Sequence, residues 1–196
     1  MLRICVVGSG GVGKSCVTIR FLKNEFTEYY DPTMEETYET EITYEGKLHQ
    51  VEIIDTAGQE EFTSFLDSSL STGDAFMILY AINSLSSWND LKTLRSKIFH
   101  GSEGKNAGHR IPMIIVGNKK DLDNDRDTSE ESAQEYADSL RVPYIETSAK
   151  TGYNVKEAFH LIMSEIERIR PDLLVKRTKN RPSTSSDPKK KDCRIV

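Results

Sequence analysis

The segment Gly8-Ser9-Gly10-Gly11-Val12-Gly13-Lys14-Ser15 follows an apolar run at residues 2–7 and leads into a helical pattern at residues 14–24. It matches G-x-x-x-x-G-K-[ST] with a strand before it and a helix after it, the setting this motif requires. Each residue type has a physical use. Glycines let the main chain wrap closely around phosphate groups, successive N–H groups and the helix N-terminus point at the anion, and Lys14 adds positive charge. Ser15 supplies a hydroxyl suited to Mg²⁺. A glycine-rich turn without a ligand would share the spacing but has no need of the flanking strand and helix.

That β-loop-α unit sets the expectation for the rest of the chain. Strand-length apolar runs recur at residues 51–54, 75–82, 111–116 and 143–145, mostly continuous rather than alternating, as in strands covered on both faces. Helical patterns lie between and after them at residues 87–100, 129–140 and 155–170, the last with Ala158, Phe159, Ile162, Ile166 and Ile169 in register. Residues 37–44 and 48–55, joined by Glu45-Gly46-Lys47, read as a hairpin. The expected fold is α/β: a doubly wound P-loop sheet of about six strands, mostly parallel with one antiparallel strand, and helices on both faces. With 196 residues, one core is expected in residues 1–170. The glycine-containing stretch 101–110 reads as a polar surface loop.

Charge divides the chain. Residues 171–196 hold eight Lys/Arg and three Asp/Glu, against 18 and 28 in residues 1–170. The formal net charge of -5 is therefore an average over an acidic body and a basic tail. The tail has no aromatic residue and is expected to be disordered, with Pro171 discouraging helix at Arg170. Cys5, Cys16 and Cys193 form neither a disulfide framework nor a metal-ligand pattern, which implies a reducing compartment. No spanning apolar run or signal-peptide layout is present, so a cytosolic origin is expected.

Three further segments carry chemistry. Asn118-Lys119-Lys120-Asp121 follows a strand at the carboxyl edge of the sheet, where ligands of such folds lie. A carboxylate there accepts from the N1–H and 2-amino edge of guanine and repels the acceptor N1 of adenine. Thr147-Ser148-Ala149-Lys150 follows the last strand and can touch the base from its other side. Asp55, ending the second apolar run in Asp55-Thr56-Ala57-Gly58-Gln59, is placed to hold a Mg²⁺ shell, with Thr33 a second ligand candidate. Gly58 lets an N–H approach the terminal phosphate, and Gln59 can orient an attacking water.

In this order these motifs resemble the small GTPases of the Ras superfamily over about residues 2–170, and most nearly the Ras/Rap branch. The segment Tyr30-Asp31-Pro32-Thr33-Met34-Glu35-Glu36-Thr37-Tyr38 is similar to that branch's effector loop, and Gln59 favours Ras over Rap. The resemblance implies GTP or GDP as bound nucleotide, Mg²⁺ as cofactor, and GTP hydrolysis as the activity. It implies that Gly8, Gly10, Gly11, Val12, Gly13, Lys14, Ser15 and Cys16 form the phosphate loop, joined by Tyr30, Thr33 and Gly58. Asn118, Lys119, Asp121, Ser148, Ala149 and Lys150 would hold guanine, with Phe26 at the base edge. Ser15, Thr33 and Asp55 would serve the metal. Gln59, Lys14 and Gly58 would be catalytic, and Gly10 would leave room for the water and a partner's arginine.

The implied partners are a GTPase-activating protein, an exchange factor and effectors with a Ras-binding domain. No arginine stands in the effector loop to act in cis, so slow intrinsic turnover is expected. Phe62, Leu66 and Ser69 stand where Ras proteins usually have Tyr, Arg and Tyr, and Met34 and Glu36 where they have Ile and Asp, which leaves activator and effector identity open. Cys193-Arg194-Ile195-Val196 behind Lys189-Lys190-Lys191 fits a prenylation signal with a basic patch, implying a lipid-anchored monomer on the cytoplasmic face of an anionic membrane, without nucleic acid as partner. A nuclear-localisation patch, an ATP-using P-loop enzyme and a permanently GTP-bound scaffold are the rival readings.

Overall fold

The structure, a computed structural model, describes residues 1–26, 35–56, 63–101 and 110–175, with the side chains of 63–66 left aside. Six strands form one sheet: β1 (Leu2–Gly8), β2 (Glu35–Tyr44), β3 (Lys47–Thr56), β4 (Ala75–Ala81), β5 (Met113–Asn118) and β6 (Tyr144–Glu146). The helices are α1 (Lys14–Lys23), α2 (Thr63–Thr72), α3 (Leu85–Gly101), α4 (Glu130–Leu140) and α5 (Val155–Ile169). Strand order is β2-β3-β1-β4-β5-β6, with β2 antiparallel to β3 and every other pairing parallel; the mostly parallel sheet and its one antiparallel strand are as the apolar runs and the hairpin predict.

Continuous apolar strands are explained by parity. Along β4, Ala75, Met77, Leu79 and Ala81 enter one core, and Phe76, Ile78 and Tyr80 the other. The first core lies under α1 and α5, where Val17, Phe159, Ile162, Met163 and Ile166 meet Ile4, Val6 and Ile53. Phe159 stacks on Phe21 with ring centroids 3.8 Å apart. The second, under α2, α3 and α4, gathers Leu70, Leu91, Ile98, Ala133 and Ala137 around Cys5, Val7 and Ile115. At its margin Trp88, the chain's single tryptophan, packs edge-on to Tyr80 and Tyr136, at 5.0 and 5.4 Å between centroids.

Four local features differ from the sequence reading. The hairpin turn is Glu45-Gly46 alone, with φ 48° and 68°, because two positive-φ residues match the right-handed twist of the strands they join; Lys47 already pairs with Tyr44. β5 starts at Met113, two residues into its apolar run, since Pro112 has no N–H to give the ladder. α2 went unpredicted: its sequence TSFLDSSLST is rich in weak helix formers, and the contacts of Leu70 and Ser69 with the second core favour it. At the far end, Arg170 is non-helical (φ -136°, ψ 61°), but Pro171–Leu173 forms a 3-10 turn that sets Leu173 and Leu174 against the first core. Order thus extends past Pro171, the expected start of the disordered tail. The loop expected at 101–110, apart from its two ends, and the tail beyond 175 lie outside the described residues. Among the described residues no helix is long and apolar enough to cross a membrane.

Truncating Phe159 to Ala removes a fully buried ring that joins α5 to α1 and the sheet. The expected loss is about 3–5 kcal/mol of unfolding free energy, read from urea denaturation of wild type and variant.

Candidate functional site

The parallel strands end at one edge of the sheet, and the loops that leave them carry most of the residues singled out from sequence. Gly8 closes β1 with no room for a side chain: a Cβ there would lie 2.4 Å from the Leu79 carbonyl oxygen. Gly11 and Gly13 have φ 73° and 95°, which allows the chain to curl back before α1. Gly10 and Gly11 are exposed, Val12 is buried, and Ser15 and Cys16 are half-buried in the first turn of α1. The Lys14 side chain folds across the loop it follows, donating from Nζ to the carbonyls of Gly8 at 2.9 Å and Ser9 at 3.0 Å. Ser9 Oγ is itself fixed on Asp90 of α3 at 2.8 Å.

Asp55 lies near the end of β3 and is fully buried. Neither carboxylate oxygen makes a hydrogen bond to a described residue. Burial pushes its pKa up to about 6, outweighing the neighbouring Ser15 hydroxyl and Lys14 ammonium, which favour the ionised form; Glu36 adds to the rise. Burial likewise lowers Lys14 to about 8 against the attraction of Asp55. A buried carboxylate with idle oxygens, beside a hydroxyl and facing a phosphate-type loop, is the donor set of a hard divalent cation that keeps part of its water shell. These residues fit Mg²⁺.

Asn118, at the end of β5, connects three loops. Its Nδ2 donates to the Val12 carbonyl at 2.9 Å, and its Oδ1 accepts from Thr147 Oγ1 at 3.1 Å and the Ala149 N–H at 3.3 Å. A Cβ on Gly13 would meet Asn118 Nδ2 at 2.4 Å, so this glycine also makes room for the amide. Lys119 adopts φ 70°, turning the chain into the 3-10 segment Lys120–Asp125. The exposed Asp121 accepts from Ser148 Oγ at 2.5 Å. Ser148 and Ala149 are buried and Lys150 is exposed. Phe26 is half-buried against the first core.

The effector-loop segment is described from Glu35 onward: Glu35, Glu36, Thr37 and Tyr38 begin β2, the edge strand. Tyr38 donates to Glu36, and Ser69 of α2 donates to Glu35. The serine noted as a departure from Ras is therefore buried and joined to the acidic strand. Tyr30, Asp31, Pro32, Thr33, Met34, Gly58, Gln59, Phe62 and Cys193 lie outside the described residues, as does the side chain of Leu66.

Two contributors were not identified from sequence. Arg20 in the last turns of α1 donates to the Ala149 carbonyl at 2.7 Å and the Lys150 carbonyl at 2.6 Å, which fixes the last loop to the helix that follows the first. Its sequence signal was only a basic residue near a helix end. Thr147 was read as part of a base-side loop, and its bond to Asn118 has no local signal at all.

The family model described as Ras family matches residues 3–168.

The electrostatics make a prediction for the metal-free protein. Because the folded pKa of Asp55 lies above its ordinary value of 3.8, its contribution favours folding at low pH and is lost as pH rises through about 6. The full effect is about 3 kcal/mol. In thermal melts with chelator, Asp55→Asn is expected to remove that part of the decline, which runs between about pH 4 and pH 6. An identical pH slope in both proteins would contradict it.

Proposed function

The chain belongs to the Ras family of small GTPases, and from that premise we propose that it is a GTP/GDP switch that acts in signalling at a membrane. The observation that carries this reading is the pair of buried, oppositely charged side chains at one sheet edge: Lys14 over the glycine loop and Asp55 with idle oxygens. Lys14 would turn from the Gly8 and Ser9 carbonyls to the phosphates of GTP, bringing a charge already stripped of most of its water. Main-chain N–H groups of residues 11–16 at the start of α1 would take the other phosphate oxygens. Ser15, Thr33 and Asp55 would hold Mg²⁺, which when bound neutralises phosphate charge. Asp121 would accept from the N1–H and 2-amino groups of guanine, with Ser148 fixing its carboxylate, while Asn118 holds the base and phosphate loops in register. Gln59 would orient the water, and Gly58 and Thr33 would bind the terminal phosphate. Loss of that phosphate would then release both loops.

The absence of an arginine in the effector loop supports slow intrinsic hydrolysis raised by an activating protein. Exchange factors would meet the second switch, where Phe62, Leu66 and Ser69 depart from the usual Ras residues and leave the identity of the activator open. The acidic β2, at the edge of the sheet, favours effectors that present a basic strand. Cys193 with Lys189-Lys190-Lys191 would anchor the chain to the cytoplasmic face of an anionic membrane, the plasma membrane being the first candidate, since one lipid plus a basic patch gives stable attachment.

Chromatography of the nucleotide released from purified full-length protein should yield GDP or GTP; recovery of ATP or ADP would refute the reading. In single-turnover assays with an activating protein, Gln59→Leu is expected to abolish stimulation. Cys193→Ser should move the protein from the membrane to the soluble fraction without altering its affinity for GTP, and an unshifted distribution excludes lipid anchoring.

A further inference from the structure

Within Asn118-Lys119-Lys120-Asp121 the sequence assigns a role to three residues and none to Lys120. The structure places its ammonium 2.7 Å from Glu146, 3.3 Å from Glu130 and 3.4 Å from Asp123. Glu146 ends β6 and immediately precedes Thr147-Ser148-Ala149-Lys150. Its carboxylate is buried at 5 % exposure and also accepts from Arg126, at 2.6 and 2.9 Å, and from the Tyr144 hydroxyl at 2.8 Å. Glu130 and Asp123 are exposed partners and contribute little. The Glu146 pair is the one shielded from water.

We propose that Lys120 is a positioning residue for base recognition, its ion pair with Glu146 locking the Asp121 loop to the Ser148 loop. This rests on the guanine-nucleotide reading above. Lys120 and Asp121 are chain neighbours, and Glu146 stands two residues before Ser148. The pair therefore sets the spacing of the two backbones that carry the base-side groups. Two further links run beside it: the Lys120 N–H to the Thr147 carbonyl at 2.9 Å, and Ser148 Oγ to Asp121 at 2.5 Å. The segment after Lys119 is a kinked 3-10 turn with Leu122 at φ -102°, ψ 32°, without an α-helical ladder to stiffen it. Side-chain anchors decide where Asp121 sits.

Arg126 separates this role from a purely structural one. Its two nitrogens bind both oxygens of Glu146 in a fork, so the buried carboxylate stays neutralised when Lys120 is replaced. Arg126, though, follows the far end of the 3-10 turn, five residues beyond Asp121. It also binds Asp123, which is exposed and lies in the same turn, but makes no bond to Asp121 or to its neighbour Lys120. Loss of Lys120 thus loosens the base-reading carboxylate while the fold keeps its charge balance.

The test uses the full chain loaded with fluorescent GDP, and competition by GDP and by inosine diphosphate, which lacks the 2-amino group. Lys120→Met and the milder Lys120→Gln are expected to speed GDP release by about tenfold. They should also lower the preference for GDP over inosine diphosphate, because a displaced Asp121 forfeits two hydrogen bonds to guanine and one to hypoxanthine. Lys120→Arg should retain both properties. GDP release unchanged in the Met and Gln variants, or equal weakening of both nucleotides, overturns the proposal, and the Gln variant answers if the Met variant does not fold. Wild type that binds neither nucleotide instead overturns the function on which the proposal rests.

Discussion

The side-chain amide of Asn118 holds together loops that leave three different strands, and the geometry of the site depends on it. Its donor end fixes the main chain at Val12, and its acceptor end fixes Thr147 and Ala149. An aspartate there would present no donor to Val12, and a side chain at Gly13 would strike the amide. Because Asn118 is buried at the end of β5, between β4 and the edge strand β6, the rigidity of the core passes directly to the loops it joins. Arg20 performs a similar task from α1, so the last loop is held from two sides.

Against this rigid frame the charged groups are held under tension. Lys14 and Asp55 each bear an ionic form that burial disfavours, and the Ser15 hydroxyl beside Asp55 only partly offsets its desolvation. Such a site is poorly stabilised alone and strongly stabilised by the ions it is shaped for, so occupancy and folding free energy are linked. Bound ligand would repay desolvation already incurred in the fold, which is the physical content of preorganisation.

Much of this was legible in the sequence. Continuous apolar runs at β1, β4 and β5 announced a two-faced parallel sheet, and the spacing of Phe159, Ile162 and Ile166 announced α5. The glycine loop was readable because its chemistry is local: each residue acts through main chain within a few positions of itself. What stayed hidden depends on partners far along the chain. α2 has weak intrinsic helix preference and is favoured by Leu70 and Ser69 meeting the second core. Lys120 occupied the unspecified position of its motif, and its value comes from Glu146, 26 residues on. Ser69 could be recognised as a departure, but its bond to Glu35 required the fold. The turn at Glu45-Gly46 was located correctly and counted one residue too long, because strand pairing, not composition, decides where Lys47 belongs.

The aromatic margin of the second core has an optical consequence. Trp88 lies edge-on to Tyr80, whose hydroxyl meets that of Tyr144 at 2.8 Å, and Tyr144 in turn donates to Glu146. Gly117 keeps this path open, since a Cβ there would sit 2.8 Å from the Tyr144 oxygen. With one tryptophan in the chain, ultraviolet emission excited at the indole band arises from a single known place. The protein carries its own unlabelled fluorophore, two aromatic rings away from the buried Glu146 carboxylate that Lys120 and Arg126 share.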